Sequence, residues 1–466
     1  MLAVGFYFYN KNSTREDYYV GGRNMGAGHV GLSVVATDVG GGFSIGLGGL
    51  GFAIGISGSW MLFTGIVGAW LSAVFLIPRI YPIARKYKLL SFPQALGHYY
   101  NGKVAFIAGI ISFVGYIGFT SSQILAGAKL ASATFPQISI TEAILIMGLI
   151  AVIYTVAGGI KAVIYTDTIQ WLILMGGLVL IGIPYGYFKL GGWHAIRQQL
   201  HPSFMQLDNI TFITFFNWFI TIVPIWFVGM TLYQRIYACR DERTAKKAWL
   251  IAGVFEYPIM AFMGVILGVF GKVAFEQGMF AEAGYTHSTG MDPELGLPLF
   301  LNSILPVGLM GIMLAAYFSA IMSTADSCLM AASGNFLTDI FGAFKKHSSE
   351  KQIIRISQLI TLVIGLVAIL LSMYMQSVLS IMLYSYAFMV SGLVVPVLGM
   401  LFVRNPDSLA ALFAMVTGGT TVLVLIISKV SLPFGLDPNF FGVLFSAIIY
   451  FCVHFLNKKS NGLSHA

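Results

Sequence analysis

Polar residues in this chain are confined to short clusters, and the stretches between them stay apolar for the length of a membrane crossing. A helix needs about 20 mainly apolar residues to traverse the hydrocarbon core. Stretches of that kind fall near residues 27–55, 58–83, 104–134, 140–157, 162–188 and 211–232, and again near 246–270, 306–338, 355–374, 377–402, 409–428 and 440–456. The pattern predicts twelve spans. The opening segment Leu2–Tyr9 is apolar but too short to cross, and it reads as the end of a helix whose first half is absent. The polar segments near 189–210 and 271–298 contain Pro, Gly and His and read as external gating or covering loops.

The basic residues test this layout. Lys and Arg are retained in cytoplasmic loops. If residues 10–26 are cytoplasmic, every second loop after them is cytoplasmic too. Those segments hold all of the 26 Lys and Arg except Lys129, Lys189, Arg197, Lys272 and Lys429. The alternation supports both the span count and the orientation, and it puts the C-terminus in the cytoplasm of a cell (plasma or inner) membrane protein.

Composition then removes whole classes of function. Only 9% of residues are charged, 57% are hydrophobic and the mean hydropathy is +0.83. A soluble domain carries about 25% charged residues, so a soluble enzyme, a disordered regulator and a nucleic-acid-binding domain are all excluded despite the net charge of +8. Cys239, Cys328 and Cys452 lie far apart and form neither a metal motif nor a disulfide framework. The bilayer and small solutes are the expected partners; no obligatory protein partner is evident.

Two spans carry interruptions. In the first, Asp38 precedes Gly40-Gly41-Gly42, and nine of the nineteen residues from Gly40 to Gly58 are glycine. Glycine destabilises a helix interior, although small residues also line close helix–helix seams. In the sixth, Pro224 and Gly229 fall within Thr221–Gly229; proline removes a backbone donor. These are the first helices of two successive groups of five, and they run in opposite directions. Paired interruptions in inverted halves point to a transporter site at mid-membrane.

Carboxylates are the second anomaly. Asp38, Asp167, Glu256 and Asp326 fall within or at the margins of spans, where a charge costs at least about 2.5–3.5 kcal/mol. By this layout no Lys or Arg lies deep in any span, so these groups are expected to be protonated, hydrogen-bonded or bound to a cation. Glu256 is given no role. Near Asp326, the residues Ala320, Ser323, Thr324 and Ser327 share one helical face. Such an all-oxygen face suits a hard monovalent cation; the alternative is a packing face whose hydroxyls bond back to their own helix.

These residues resemble the sodium/solute symporter family. The marks are Asp17-Tyr18-Tyr19-Val20-Gly21-Gly22-Arg23, Tyr154–Ala162, Tyr165-Thr166-Asp167-Thr168-Ile169-Gln170, Gln234-Arg235 and Ala320–Ser327. The resemblance implies an all-α polytopic membrane protein with a LeuT-type five-plus-five inverted repeat, two extra C-terminal helices and a truncated N-terminal helix. The expected division is residues 1–26 for the truncated helix and cytoplasmic loop, 27–404 for the ten-helix core, and 405–466 for the peripheral helices and tail. The main sodium site implied by motif match uses the carbonyls of Ala36, Val39 and Ala320 with the hydroxyls of Ser323 and Thr324. A second sodium site or coupling role falls to Asp38, Asp167, Asp326 and Ser327. The chain departs from the family pattern at Gly40, where several members carry Ser, and from the choline branch at Asp38 and Gly229.

The function implied is sodium-coupled symport of a small organic solute (an amino acid, amine or sugar) by alternating access, with sodium as the coupling ion and no other cofactor. Candidate solute residues are Gly40, Phe43, Trp60, Tyr116, Trp218 and Trp226. The aromatic ones suit a cation–π box, or simply lipid-facing and core packing. With no basic side chain deep in the spans, a solute carboxylate has no side-chain clamp. The rival readings are a sodium-independent uniporter and a solute-binding sensor. A membrane enzyme lacks a nucleophile–base pair or metal motif.

Overall fold

A computed structural model describes residues 20–38, 40–158, 160–342 and 350–463. Its regular elements are helical, joined by short turns. The helices that matter here are α1 (Ala27–Asp38), α2 (Gly40–Ile54), α3 (Trp60–Leu71), α4 (Gly102–Thr134), α5 (Ile140–Gly158), α6 (Ile160–Gly176), α7 (Phe212–Val228) and α8 (Met230–Ala238). They continue with α9 (Glu242–Val254), α10 (Ala261–Glu276), α11 (Val307–Asn335), α12 (Glu350–Tyr374), α13 (Val378–Phe402), α14 (Ser408–Ser428) and α15 (Pro438–Leu463). Each of the twelve predicted stretches is largely helical.

Among the described residues, nine helical stretches are long and apolar enough to cross a membrane, or ten if one bent pair counts as a single span. The difference from twelve has a local origin. Gly42–Tyr87 runs as one stretch across two predicted spans, while the apolar parts Ala27–Thr37 and Ile140–Ile153 are short. Inside that long stretch Gly55 turns the chain with φ 74°, and a Cβ there would overlap the carbonyl oxygen of Phe204. Only glycine meets both demands at once.

The bent pair is the sixth span. Helix α7 passes straight through Pro224 and stops at Gly229, whose extended backbone (φ −69°, ψ 114°) turns α8 by 43°. The interruption expected at Pro224–Gly229 is therefore present, and glycine rather than proline makes it. The interruption expected in the first span at Gly40-Gly41-Gly42 is not seen at those residues, which form the first turn of α2; Val39, just before them, lies outside the described residues.

The glycines that follow have a packing role. Helices α2 and α10 approach so closely that a Cβ on Gly268 would overlap the Gly48 carbonyl oxygen, and one on Gly51 would overlap that of Val265. This is the small-residue seam that brings membrane helices together. Gly268→Val should lower the thermal midpoint of the purified protein, because overpacking of this kind costs about 1–3 kcal/mol or more. A midpoint equal to that of the parent protein would show that the seam relaxes freely.

Helix α11 is the centre of the arrangement. It packs against α4 on one side and α6 on the other, and reaches α1, α5, α8 and α12. Helix α1 in turn packs on α6 and α9. The polar faces of α1, α6, α8 and α11 therefore meet inside the protein.

Candidate cation and solute site

Residues Ser33 and Thr37 are one turn apart on α1, and Ser323 and Ser327 are one turn apart on α11; both pairs are buried. They face Asp167 of α6. Its Oδ1 accepts the Ser323 hydroxyl, and its Oδ2 accepts the Ser33 hydroxyl at 2.5 Å.

The group at the centre is Arg235 of α8, which is 0% exposed. Its Nε donates to Ser33 Oγ at 3.0 Å and its Nη1 to the Thr231 carbonyl at 3.2 Å. Its Nη2 lies within hydrogen-bonding distance of Thr37 Oγ1 (2.5 Å), Ser327 Oγ (3.0 Å) and Asp167 Oδ2 (3.3 Å). This corrects the expectation that no basic residue lies deep in a span. The charge pattern assigns Arg235 to a cytoplasmic loop because span six is expected to end at residue 232, whereas α8 continues to Ala238 and is buried throughout. A guanidinium survives there because a carboxylate and three hydroxyls surround it. Lys129, near the C-terminal end of α4, is also buried and paired, with Asp292 and Glu294.

Asp326 is arranged differently. Its Oδ1 accepts the Thr155 hydroxyl at 2.5 Å, while Oδ2 has no hydrogen-bond partner among the described residues. One buried carboxylate is therefore matched by a fixed cation, and the other keeps an oxygen unengaged.

Next to this cluster, Thr324 Oγ1 donates to the Ala36 carbonyl at 3.0 Å and to its own helix at the Ala320 carbonyl at 3.1 Å. Of the five oxygens expected at the main sodium site, the Thr324 hydroxyl thus lies within one hydrogen bond of two others, the Ala36 and Ala320 carbonyls. The hydroxyl of the fourth, Ser323, turns to Asp167, and the fifth, Val39, lies outside the described residues. The side chain of Asp38 is likewise not described, and Gly40 is known only as the first residue of α2.

The aromatic candidates are dispersed. Tyr116 of α4 sits at the break, where its Oη accepts the Thr231 N–H at 3.0 Å and pairs with Thr231 Oγ1 at 3.0 Å. It thereby satisfies a backbone donor that the interruption leaves without a helical partner. Phe43 is buried in the core. Trp60 donates its indole N–H to the Leu207 carbonyl at 2.7 Å and packs edge-on against Phe63 and Phe215. Trp226 fills the space above Gly68, where a Cβ would lie 2.5 Å from its ring, and stands edge-on to Trp249. Trp218 lines a separate cavity of about 200 Å3 with Asn217, Ser380 and Asn439.

Sequence reasoning missed Arg235, Ser33, Thr37 and Thr155 as members of the cluster. A signal existed for the first three: the Ser33/Thr37 spacing repeats that of Ser323/Ser327, and Arg235 follows Thr231 by one turn of a helix.

The chain is similar over most of its length to known transporters. The chain is 26% identical over 440 residues to the high-affinity proline transporter of Bacillus subtilis (strain 168), covering 91% of this chain and 89% of that protein. It is 28% identical over 442 residues to the sodium/myo-inositol cotransporter 2 of Homo sapiens, covering 87% of this chain and 64% of that one. The structure of a Na+-coupled sialic acid symporter in a substrate-bound outward-open state superposes with a TM-score of 0.79 at 23% identity, covering 98% of this chain and 95% of that one. The model of the sodium:solute symporter family matches residues 18–418. With the match extending over most of its length, this multi-pass membrane protein belongs to the sodium:solute symporter family.

Proposed function

We propose that the chain couples inward sodium movement to the uptake of a small neutral, zwitterionic or cationic organic solute of the amino acid, amine or sugar class. The observation that carries this reading is the meeting of the Thr324 hydroxyl with the Ala36 and Ala320 carbonyls across α1 and α11. Ala36, Val39, Ala320, Ser323 and Thr324 hold the main sodium ion in this reading, as an oxygen shell of the kind hard cations prefer. Asp38, Asp167, Asp326 and Ser327 serve a second sodium site or the coupling. Residues 27–404 form the ten-helix inverted-repeat core and 405–466 the two peripheral helices and tail, in a cell (plasma or inner) membrane with the C-terminus cytoplasmic.

The solute lies against the interruptions, with Gly40, Phe43 and Tyr116 as its nearest candidates; Trp60, Trp218 and Trp226 line its outer approach or brace α7. Every nitrogen of Arg235 already has an acceptor inside the protein. The guanidinium is therefore not available to clamp a solute carboxylate, and this favours solutes whose binding needs no fixed positive side chain. A relative named for myo-inositol, an uncharged polyol, fits that chemistry.

The reading is tested by thermal stabilisation of the purified protein against amino acids, quaternary amines, sugars and carboxylates, each in sodium and in potassium. A ligand that binds only the folded state raises apparent stability by RT ln(1+[L]/Kd). A shift for one compound in sodium alone is the expected result and names the solute class. The same shift in both salts overturns the coupling and leaves a uniporter or sensor.

A further inference from the structure

The external side of the protein, in the orientation proposed above, holds a buried charge junction that the sodium and solute sites do not use. It is built on Glu294, in the loop between α10 and α11, and it draws together the outer ends of three spans. Glu294 Oε2 accepts Lys129 Nζ from α4 at 2.6 Å and the Val378 N–H at the start of α13 at 2.8 Å. Its Oε1 accepts the Leu379 N–H at 3.0 Å and the Ser377 hydroxyl at 2.9 Å. On α2, Gly49 lies so close that a Cβ there would meet Glu294 Cγ at 2.9 Å. Asp292 completes the junction, with Oδ2 on Lys129 Nζ at 2.5 Å and Oδ1 accepting the Glu294 N–H at 3.0 Å.

The arrangement is stronger than a surface ion pair. The side chains of Lys129 and Glu294 are 5% and 7% exposed, and the carboxylate sits on the first two N–H groups of a 25-residue helix, where unsatisfied donors and the helix dipole both favour an anion. Yet Asp292 in the same junction is 38% exposed, so water reaches its edge. Parting the junction therefore hydrates its charges rather than stranding them in the membrane. A contact that is well satisfied when closed and readily hydrated when open has the energetics of a two-state element.

We infer that the Lys129–Glu294 junction with the N-terminus of α13 is an outer latch, which holds the loop between α10 and α11 over the outer half of α2 and must release for solute to enter from outside. The inference rests on the alternating-access reading given above, and it makes Glu294 and Lys129 positioning residues rather than ligands of sodium or solute. The loop is well placed to act as a cover, because Leu297 packs where a Cβ on Gly48 would sit at 2.8 Å, and Gly296 lies against Phe52.

Accessibility to a thiol reagent reads the latch directly. Ser44 lies on α2 below the latch, fully buried and bonded to Tyr317 Oη at 2.8 Å. In a Cys452→Ser background, Ser44→Cys is labelled from the outside with a charged methanethiosulfonate reagent, with the same background lacking Ser44→Cys as the blank. Glu294→Gln and Lys129→Met should each raise the labelling rate about tenfold, the scale of a lost charge-assisted bond. Lys129→Arg should keep the rate low. The double variant should label no faster than the quicker single one, because both act on one junction. Labelling rates unchanged in both single variants overturn the latch, even if sodium-driven uptake by the parent protein is intact. Should the parent show no sodium-driven uptake, it is the symport reading that fails, while the labelling result still decides whether the junction closes the outer side.

Discussion

Arg235→Met should abolish sodium-driven uptake and lower the thermal stability of the protein. The guanidinium is fully buried and donates to Ser33, Thr37, Ser327, Asp167 and the Thr231 carbonyl. Removing one partner of a buried ion pair costs about 3–5 kcal/mol, mainly because the other charge is left without compensation. Here that charge is Asp167, and the hydroxyls around it are oriented by the guanidinium. Asp167→Asn alone should fail for the converse reason, leaving Arg235 unmatched. The double variant Asp167→Asn/Arg235→Met should regain much of the lost thermal stability without regaining transport. Equal and additive destabilisation in the double-mutant cycle would show that the two residues do not act as a pair.

Thr324→Ala should raise the sodium concentration needed for half-maximal uptake by about tenfold or more, while uptake at saturating sodium stays close to that of the parent. A hydrogen-bonding group lost from a charged partner is worth about 1.5–3 kcal/mol, and about 1.4 kcal/mol is tenfold in affinity. The threonine hydroxyl is the side-chain oxygen that lies between the Ala36 and Ala320 carbonyls, so its loss falls on the cation and not on the solute. Thr324→Ser, which keeps the hydroxyl, should restore the sodium dependence. An unchanged sodium requirement in Thr324→Ala would remove this residue from the cation shell.

Much of the architecture is legible in the sequence, because the bilayer imposes strong rules. Apolar length reports the spans and basic residues report the loops; both need no knowledge of packing. The interruption at Gly229 is also legible, although the helix runs through Pro224 undisturbed. What escapes is the case in which a charged residue breaks the loop rule. Arg235 looks like a loop residue until its four polar neighbours, drawn from α1, α6 and α11, are seen together. Those neighbours are up to 202 residues away in sequence, and no local pattern reports such a meeting.

The glycines show a similar limit. The run beginning at Gly40 suggests an interruption, and the structure gives Gly48 and Gly51 a second role as the seam with α10. Composition alone does not separate a glycine that breaks a helix from one that lets another helix approach. Trp226 is the parallel case among the aromatics. In the sequence it stands one turn from the break and suggests a solute contact; in the structure it fills the gap left by Gly68 and meets Trp249.

Coupling itself is tested most directly in proteoliposomes. The solute named by thermal stabilisation is supplied at equal concentration on both sides, and a sodium gradient directed inward is imposed, with potassium substituted for sodium as the control. Symport predicts that the solute accumulates transiently above its starting concentration in sodium and does not do so in potassium. Equilibration without accumulation, at the same rate in either salt, would contradict sodium-coupled symport.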